Sequence, residues 1–212
     1  MTTGILTRLS IFPLTGAILF PRMHLPLHIF EPRYQALVSD AMARDRWIGM
    51  IQPMGHISAA SGGPVPLFSV GCVGKIVDVE AHDDGRYNLV LQGQARFRMV
   101  RELDVTTAFR QVEAELEIVD HEDTTLGIAN RASLEQEARK FAQAQGYAVD
   151  WEAVNRLDDE ALVNGIAQIA PFDPAAKQAL LEAADLASRA ELIVQLMSFF
   201  GRHDGEDRVT LQ

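Results

Sequence analysis

GCVGKIVDVEAHDDGRYNLVLQGQARFRM, residues 71–99, is the stretch whose reading decides the fold. From Val73 to Ala81 the side chains alternate, with Val77, Val79 and Ala81 on one side and Asp78 and Glu80 on the other, the period of a half-buried strand. DDGR then turns the chain into Tyr87, Leu89 and Leu91, and Asp84-Gly85 supplies the φ > 0 positions of a tight hairpin. Gln94 to Val100 reads as a further strand. Working outward, residues 110–118 alternate just as cleanly: Val112, Ala114, Leu116 and Ile118 share one face, and Gln111, Glu113, Glu115 and Glu117 the other, so sheet extends to about Val119. Apolar runs at Leu9 to Leu14, Ala17 to Phe20, Leu25 to Phe30 and Trp47 to Ile51 add more strands. Many short strands separated by turns predict a small barrel.

One helix interrupts this sheet. Pro32 suits a first helical turn, and Tyr34, Leu37, Val38, Ala41 and Met42 recur at the spacing of one buried face, which predicts a helix over Pro32 to Arg44. Pro53 to Pro66, PMGHISAASGGPVP, has turn residues and no period, and reads as a mobile loop. After residue 121 the period becomes helical, dividing the chain into 1–120 and 121–212. The first helix spans about Leu126 to Gln145 and ends at Gly146. Asp150 caps a short helix from Trp151, Asp158 one over Asp159 to Ile169, and Asp173 one over Pro174 to Ala184. Ser188 and Glu191 read as the capping box of a last helix to about Phe200, with a fraying tail beyond it.

Composition narrows the function classes. Nearly half of the 212 residues are apolar, enough for a sizeable core. The formal charge is −10, and residues 121–212 hold 16 acidic against 8 basic side chains. An acidic surface repels phosphate, which argues against a nucleic-acid partner. The single cysteine, Cys72, forms no intrachain disulfide and fits a reducing, cytoplasmic compartment. No stretch approaches the ~20 apolar residues needed to span a bilayer, and no signal-peptide pattern opens the chain, so neither membrane anchor nor export is expected.

Catalytic motifs do not emerge. GCVGKI around Lys75 lacks the spacing and the Ser or Thr of a phosphate-binding loop, so ATP hydrolysis is not expected. His24 and His28 in HLPLH lie four apart in an extended context, where their rings do not converge on a metal as they would on a helix. Cys72 sits in an apolar strand as an inert thiol, and the Asp83-Asp84 and Asp158-Asp159 pairs are accounted for by a turn and a helix start. Arg96, Arg98 and Arg101 form a basic stripe from which Phe97 points inward, leaving an RNA-binding reading as the alternative.

Residues 11–38, IFPLTGAILFPRMHLPLHIFEPRYQALV, resemble the opening motif of the Lon protease amino-terminal domain family, with its FPL, LFP, LPL and IFEPRY elements in order. Residues 71–99 resemble that family's glycine-flanked strand, DGRY hairpin and G-x-x-RF segment, and residues 176–197 its KQ-x-LLE and RAEL helices. The resemblance implies an α+β fold, a PUA-like β pseudo-barrel followed by a C-terminal helical bundle. It also implies a non-catalytic protein-recognition module without the ATPase or peptidase parts and without a cofactor. Its partners would be polypeptide substrates or a protease or chaperone, with weak homo-oligomerisation left open; a PUA-like RNA-binding module is the alternative. Substrate contact is expected at Phe20, Met23, His24, Leu25, Glu31, Arg33 and Tyr34, on the proline-punctuated Phe20 to Phe30 stretch and the start of the following helix. Met23 and Leu25 are apolar side chains that a loop or edge strand would leave accessible, and methionine adapts to varied partners.

Overall fold

Tyr87–Glu102 is one 16-residue strand, β5, around which the first half of the chain is built. The computed structural model describes residues 5–55, 65–117 and 125–206. The other strands are β1 (Ile5–Pro13), β2 (His24–Ile29), β3 (Trp47–Ile51), β4 (Val70–Ala81) and β6 (Gln111–Leu116), in the order β2-β5-β4-β3-β1-β6. β5 also pairs with β6, which closes β5-β4-β3-β1-β6 into a ring. The first half of β5 carries β2 and the second half carries β6, so β2 is an extra strand outside the ring. β1 and β3 are parallel, and the other pairs are antiparallel.

Tyr87 to Leu91 and Gln94 to Val100, read as separate strands, are thus continuous. Gly93 joins them, opposite Gly74 of β4. A Cβ on Gly93 would stand 2.1 Å from the carbonyl oxygen of Phe20, and one on Gly74 2.7 Å from Leu19 Cδ2. This pair of glycines is the seat of residues 19–21, so Ala17 to Phe20, expected as a strand, is instead a core-filling loop. Ile18, Leu19 and Phe20 are all buried there. A second correction concerns Val77. The register between β4 and β5 shifts between Ile76 and Asp78, so Val77 is bulged outward and 47% exposed, while Ile76 takes the inward position. In the β4–β5 turn only Gly85 has positive φ, 84°; Asp84 does not.

Inside the ring, Leu9, Ile11, Ile51, Val73, Phe97, Val112 and Ala114 form the core. The helix α1 (Pro32–Met42) buries Tyr34, Leu37, Val38 and Ala41, the face its spacing predicts. Tyr34 packs on Phe12 at 4.0 Å between ring centroids and donates to the Pro13 carbonyl at 3.2 Å. The Pro53 to Pro66 loop lies largely outside the described residues, as do residues 118–119 at the end of the last predicted strand.

Two compact units divide the chain, residues 1–119 and 120–212. The second contains α2 (Ile128–Gln145), α3 (Trp151–Asn155), α4 (Asp159–Ile169), α5 (Pro174–Glu182) and α6 (Leu186–Glu206). Gly146 ends α2 in the left-handed conformation at φ 72°. Asp150, Asp158 and Asp173 accept hydrogen bonds from the first amides of α3, α4 and α5, as the sequence suggests. The last helix departs from its reading: Asp185 accepts from the Ser188 amide at 2.7 Å and caps a helix that begins three residues early and runs to Glu206. Arg189, 5% exposed, ties three helices together by donating to Asn164 Oδ1 of α4 at 2.7 Å and to the Leu180 carbonyl of α5 at 2.8 Å.

Candidate functional site

The residues singled out in the first unit divide into a surface group and a core group. β2 pairs with β5 alone, so its outer side is a sheet edge, and Pro26 in its middle is tolerated there because an edge strand has spare donors. Along it His24 is exposed, and Met23 and Leu25 are half-buried. Phe30, at the strand's end, is 63% exposed and stacks on His28 at 6.1 Å. Glu31 and Arg33 pair at 2.8 Å at the start of α1, and the Arg33 guanidinium lies over the Tyr34 ring at 4.5 Å. Phe20 and Tyr34, also expected as contact residues, are placed in the core. Phe20, within the 19–21 segment, is 0% exposed, and Tyr34 is 5% exposed with its hydroxyl engaged and its pKa raised by burial. Both support the surface from below.

The other chemistry-bearing groups are occupied structurally. His28 Nδ1 lies 2.7 Å from Asn88 Oδ1, and the Asn88 amide donates to Glu80 at 3.1 Å and lies 2.9 Å from His82 Nε2. No group of three or more His, Cys, Asp or Glu among the described residues is placed to hold a metal ion. The arginines of the basic stripe pair with β6 and the residue after it: Arg96 reaches Glu117 at 2.7 Å, Arg98 reaches it at 3.6 Å, and Arg101 reaches Glu113 at 2.8 Å. Phe97 is fully buried, so its ring offers these arginines no stacking platform. Cys72 is fully buried in β4.

The second unit carries a feature that sequence reading missed, an apolar groove of about 570 Å³. Ala138, Phe141 and Ala142 of α2 form one wall, and Ala161, Gly165, Ile166 and Ile169 of α4 the other. Trp151 and Val154 of α3 line one part and Met197 of α6 another, and the 146–149 segment, Leu157, Ala170 and Pro171 also contribute. No lining side chain is charged. Ile169 is 82% exposed, Tyr147 50%, Leu157 41% and Val149 37%, so large apolar groups stand in water around one concavity rather than scattered singly. The Arg139 guanidinium stacks 4.3 Å over the Trp151 ring and fixes its orientation. A signal was present in α4, whose apolar residues extend beyond the Leu162, Val163 and Ala167 face that the unit buries.

Topology and groove define the class: an α+β chain in which a closed mixed β-barrel with one extra strand is followed by a helical unit with an open apolar groove. The chain belongs to the family of the ATP-dependent protease La (LON) substrate-binding domain, whose model matches residues 8–198. It is 26% identical over 192 residues to a Lon protease of Desulfosudis oleivorans, covering 89% of this chain and 23% of that protein. It is 28% identical over 196 residues to Lon protease 2 of Myxococcus xanthus, covering 90% and 23%. The chain thus spans about a quarter of the length of these relatives. Among solved structures, the Lon N-terminal domain protein from Xanthomonas campestris superposes with a TM-score of 0.66 at 22% identity, covering 91% of this chain and 98% of that one. The N-terminal domain of Mycobacterium avium complex Lon protease gives 0.65 at 21%, with the same coverage. No helix among the described residues is long and apolar enough to cross a membrane.

Proposed function

We propose that the chain is a non-catalytic recognition module that takes up apolar or partly unfolded polypeptide segments, working with a protease or chaperone partner in the cytoplasm. The observation that carries this reading is the groove between α2 and α4, where covering the rim by a partner would gain up to about 1.5–3 kcal/mol for Ile169, the most exposed of its side chains, and proportionately less for Tyr147, Leu157 and Val149. The family's description as a protease substrate-binding domain supports the same reading. Met23, His24, Leu25, Glu31 and Arg33 form a second proposed contact surface in the barrel unit. An RNA-binding role draws no support from the arginine stripe, since glutamates occupy it.

The test is titration of the purified protein with a fluorescent, permanently unfolded polypeptide and with a structured RNA over a salt series. Binding of the polypeptide that persists in salt and is weakened by Leu157→Asp with Ile169→Asp supports the groove. Loss confined to Met23→Asp with Leu25→Asp transfers the role to the barrel surface. RNA binding alone, steeply weakened by salt, overturns the reading.

A further inference from the structure

The groove has one property that selects among polypeptides: its two long walls offer little to a peptide backbone. They are the helices α2 and α4, whose interior amides and carbonyls are bonded within the helix, the non-helical lining is confined to residues 146–149, 157 and 170–171, and the lining side chains carry only the Tyr147 hydroxyl and the Trp151 indole N–H. An extended segment laid here would bury backbone groups without partners, at about 1–3 kcal/mol each. A helix satisfies its own backbone and presents only side chains. Four small residues shape the walls for that geometry: Ala138 and Ala142 of α2, and Ala161 and Gly165 of α4, each pair four residues apart on one helical face.

Charge fixes the outer face of the occupant. Asp150 and Glu152 bracket Trp151, Asp158 follows Leu157, and Glu160 precedes Ala161, so acidic residues adjoin the groove lining on α3 and α4. Of the cations that adjoin the lining, Arg139 is stacked on Trp151, Lys140 pairs with Glu137 at 3.1 Å and Arg156 lies 3.9 Å from Glu152, while Asp150 and Asp158 also accept from the first amides of α3 and α4. Over residues 121–212 acidic side chains outnumber basic ones twofold, 16 against 8. We propose that the groove between α2 and α4 seats an amphipathic α-helix of a partner polypeptide, its apolar stripe inward and its outer face cationic. This rests on the reading of the groove as a polypeptide site and narrows it to one class of segment.

The experiment titrates the full chain with labelled synthetic peptides of about 18 residues, five helical turns. One has Leu at helical spacing and Lys elsewhere. A second has the same composition arranged in strict alternation. A third keeps the helical spacing with Glu in place of Lys, and the unfolded polypeptide used above is the fourth probe. The helical Leu/Lys peptide is expected to bind at least about tenfold tighter than the alternating and Glu peptides, to gain helical circular dichroism on binding, and to lose about tenfold in affinity to Ile169→Asp. Gly165→Leu, which fills the groove instead of charging its rim, gives a second and independent variant. Equal binding of the alternating peptide, or tighter binding of the Glu peptide, overturns the cationic-helix assignment while leaving polypeptide capture intact. Binding of the Leu/Lys peptide that neither variant weakens removes the groove as its site. If neither the peptides nor the unfolded polypeptide bind, the recognition reading itself falls.

Discussion

Phe20 and Gly93 are in backbone contact: a Cβ added to the glycine would stand 2.1 Å from the Phe20 carbonyl oxygen and 3.2 Å from the Pro21 Cα. The Arg22 amide donates to the Gly93 carbonyl, and the Gly93 amide to the Met23 carbonyl, both at 2.8 Å. Arg22 itself is left-handed at φ 65°, uncommon for a side chain-bearing residue. The segment that delivers the chain into β2 is therefore tied to β5 by backbone hydrogen bonds at this point. Gly93→Ala is expected to destabilise the fold by about 1–3 kcal/mol, the usual cost of forced overpacking, because backbone on both sides must shift. Urea unfolding checks it. A midpoint equal to that of the parent would mean the 19–21 segment does not rest on β5.

Asp185 and Ser188 compete as caps of α6, and only the first has its side chain in place, accepting from the Ser188 amide at 2.7 Å. Asp185→Ala is expected to cost about 1 kcal/mol, and Ser188→Ala no more than about 0.5 kcal/mol. The reverse order in thermal unfolding would restore Ser188 as the cap.

The starts of α4 and α1 show where sequence was sufficient. Asp158 stands immediately before a run with one strong period, and α4 begins and ends where that run predicts. In α1 four of the five predicted face residues are buried, and the fifth, Met42, is half-buried at the helix end. Local signals failed where distant chain decides the outcome. Ala17 to Phe20 has the composition of a strand, yet the bare surface at Gly74 and Gly93 draws it in as a loop. Val77 alternates correctly in sequence but is displaced by a bulge that depends on its partner strand. Of the candidate contact residues, the sequence placed Met23 and Leu25 partly accessible, but it could not separate them from Phe20, whose burial arises from long-range packing. The groove was not legible as a whole because its walls belong to separate helices: α4 shows apolar residues beyond its buried face, but nothing in α4 alone reveals the opposite wall on α2.

Glu102 accepts two hydrogen bonds from Arg110, at 2.7 and 2.6 Å, and Arg110 also donates to the Val65 carbonyl at 3.0 Å. The bonded guanidinium holds the Glu102 carboxyl below its usual 4.5, against an opposing contribution from partial burial. A carboxyl with a lowered folded pKa is protonated first in the unfolded chain. Its stabilisation is present above the unfolded value and is lost as pH falls through the folded one. Because the Glu102 side chain is 38% exposed, the contribution is below about 1 kcal/mol. Parent and Glu102→Gln should therefore differ most in unfolding midpoint above pH 4.5 and converge below it. A difference independent of pH would assign the effect to packing rather than to the charge.

Ile169 and Leu180 test whether the groove is held open by function or by folding. Ile169 is 82% exposed at the end of α4, so the fold gains little from it, and Ile169→Asp is expected to change stability by no more than about 0.5 kcal/mol. Leu180 is fully buried in α5, and Leu180→Ala is expected to cost about 2–5 kcal/mol through lost burial and a residual cavity. An apolar fluorescent dye that enters the groove should bind the parent and lose signal with Ile169→Asp, although the urea midpoint stays unchanged. If Ile169→Asp instead unfolds the helical unit as Leu180→Ala does, the isoleucine is covered in solution and the groove is part of the core. If stability and dye binding are both unaffected, the α4 end is not the rim that apolar ligands meet.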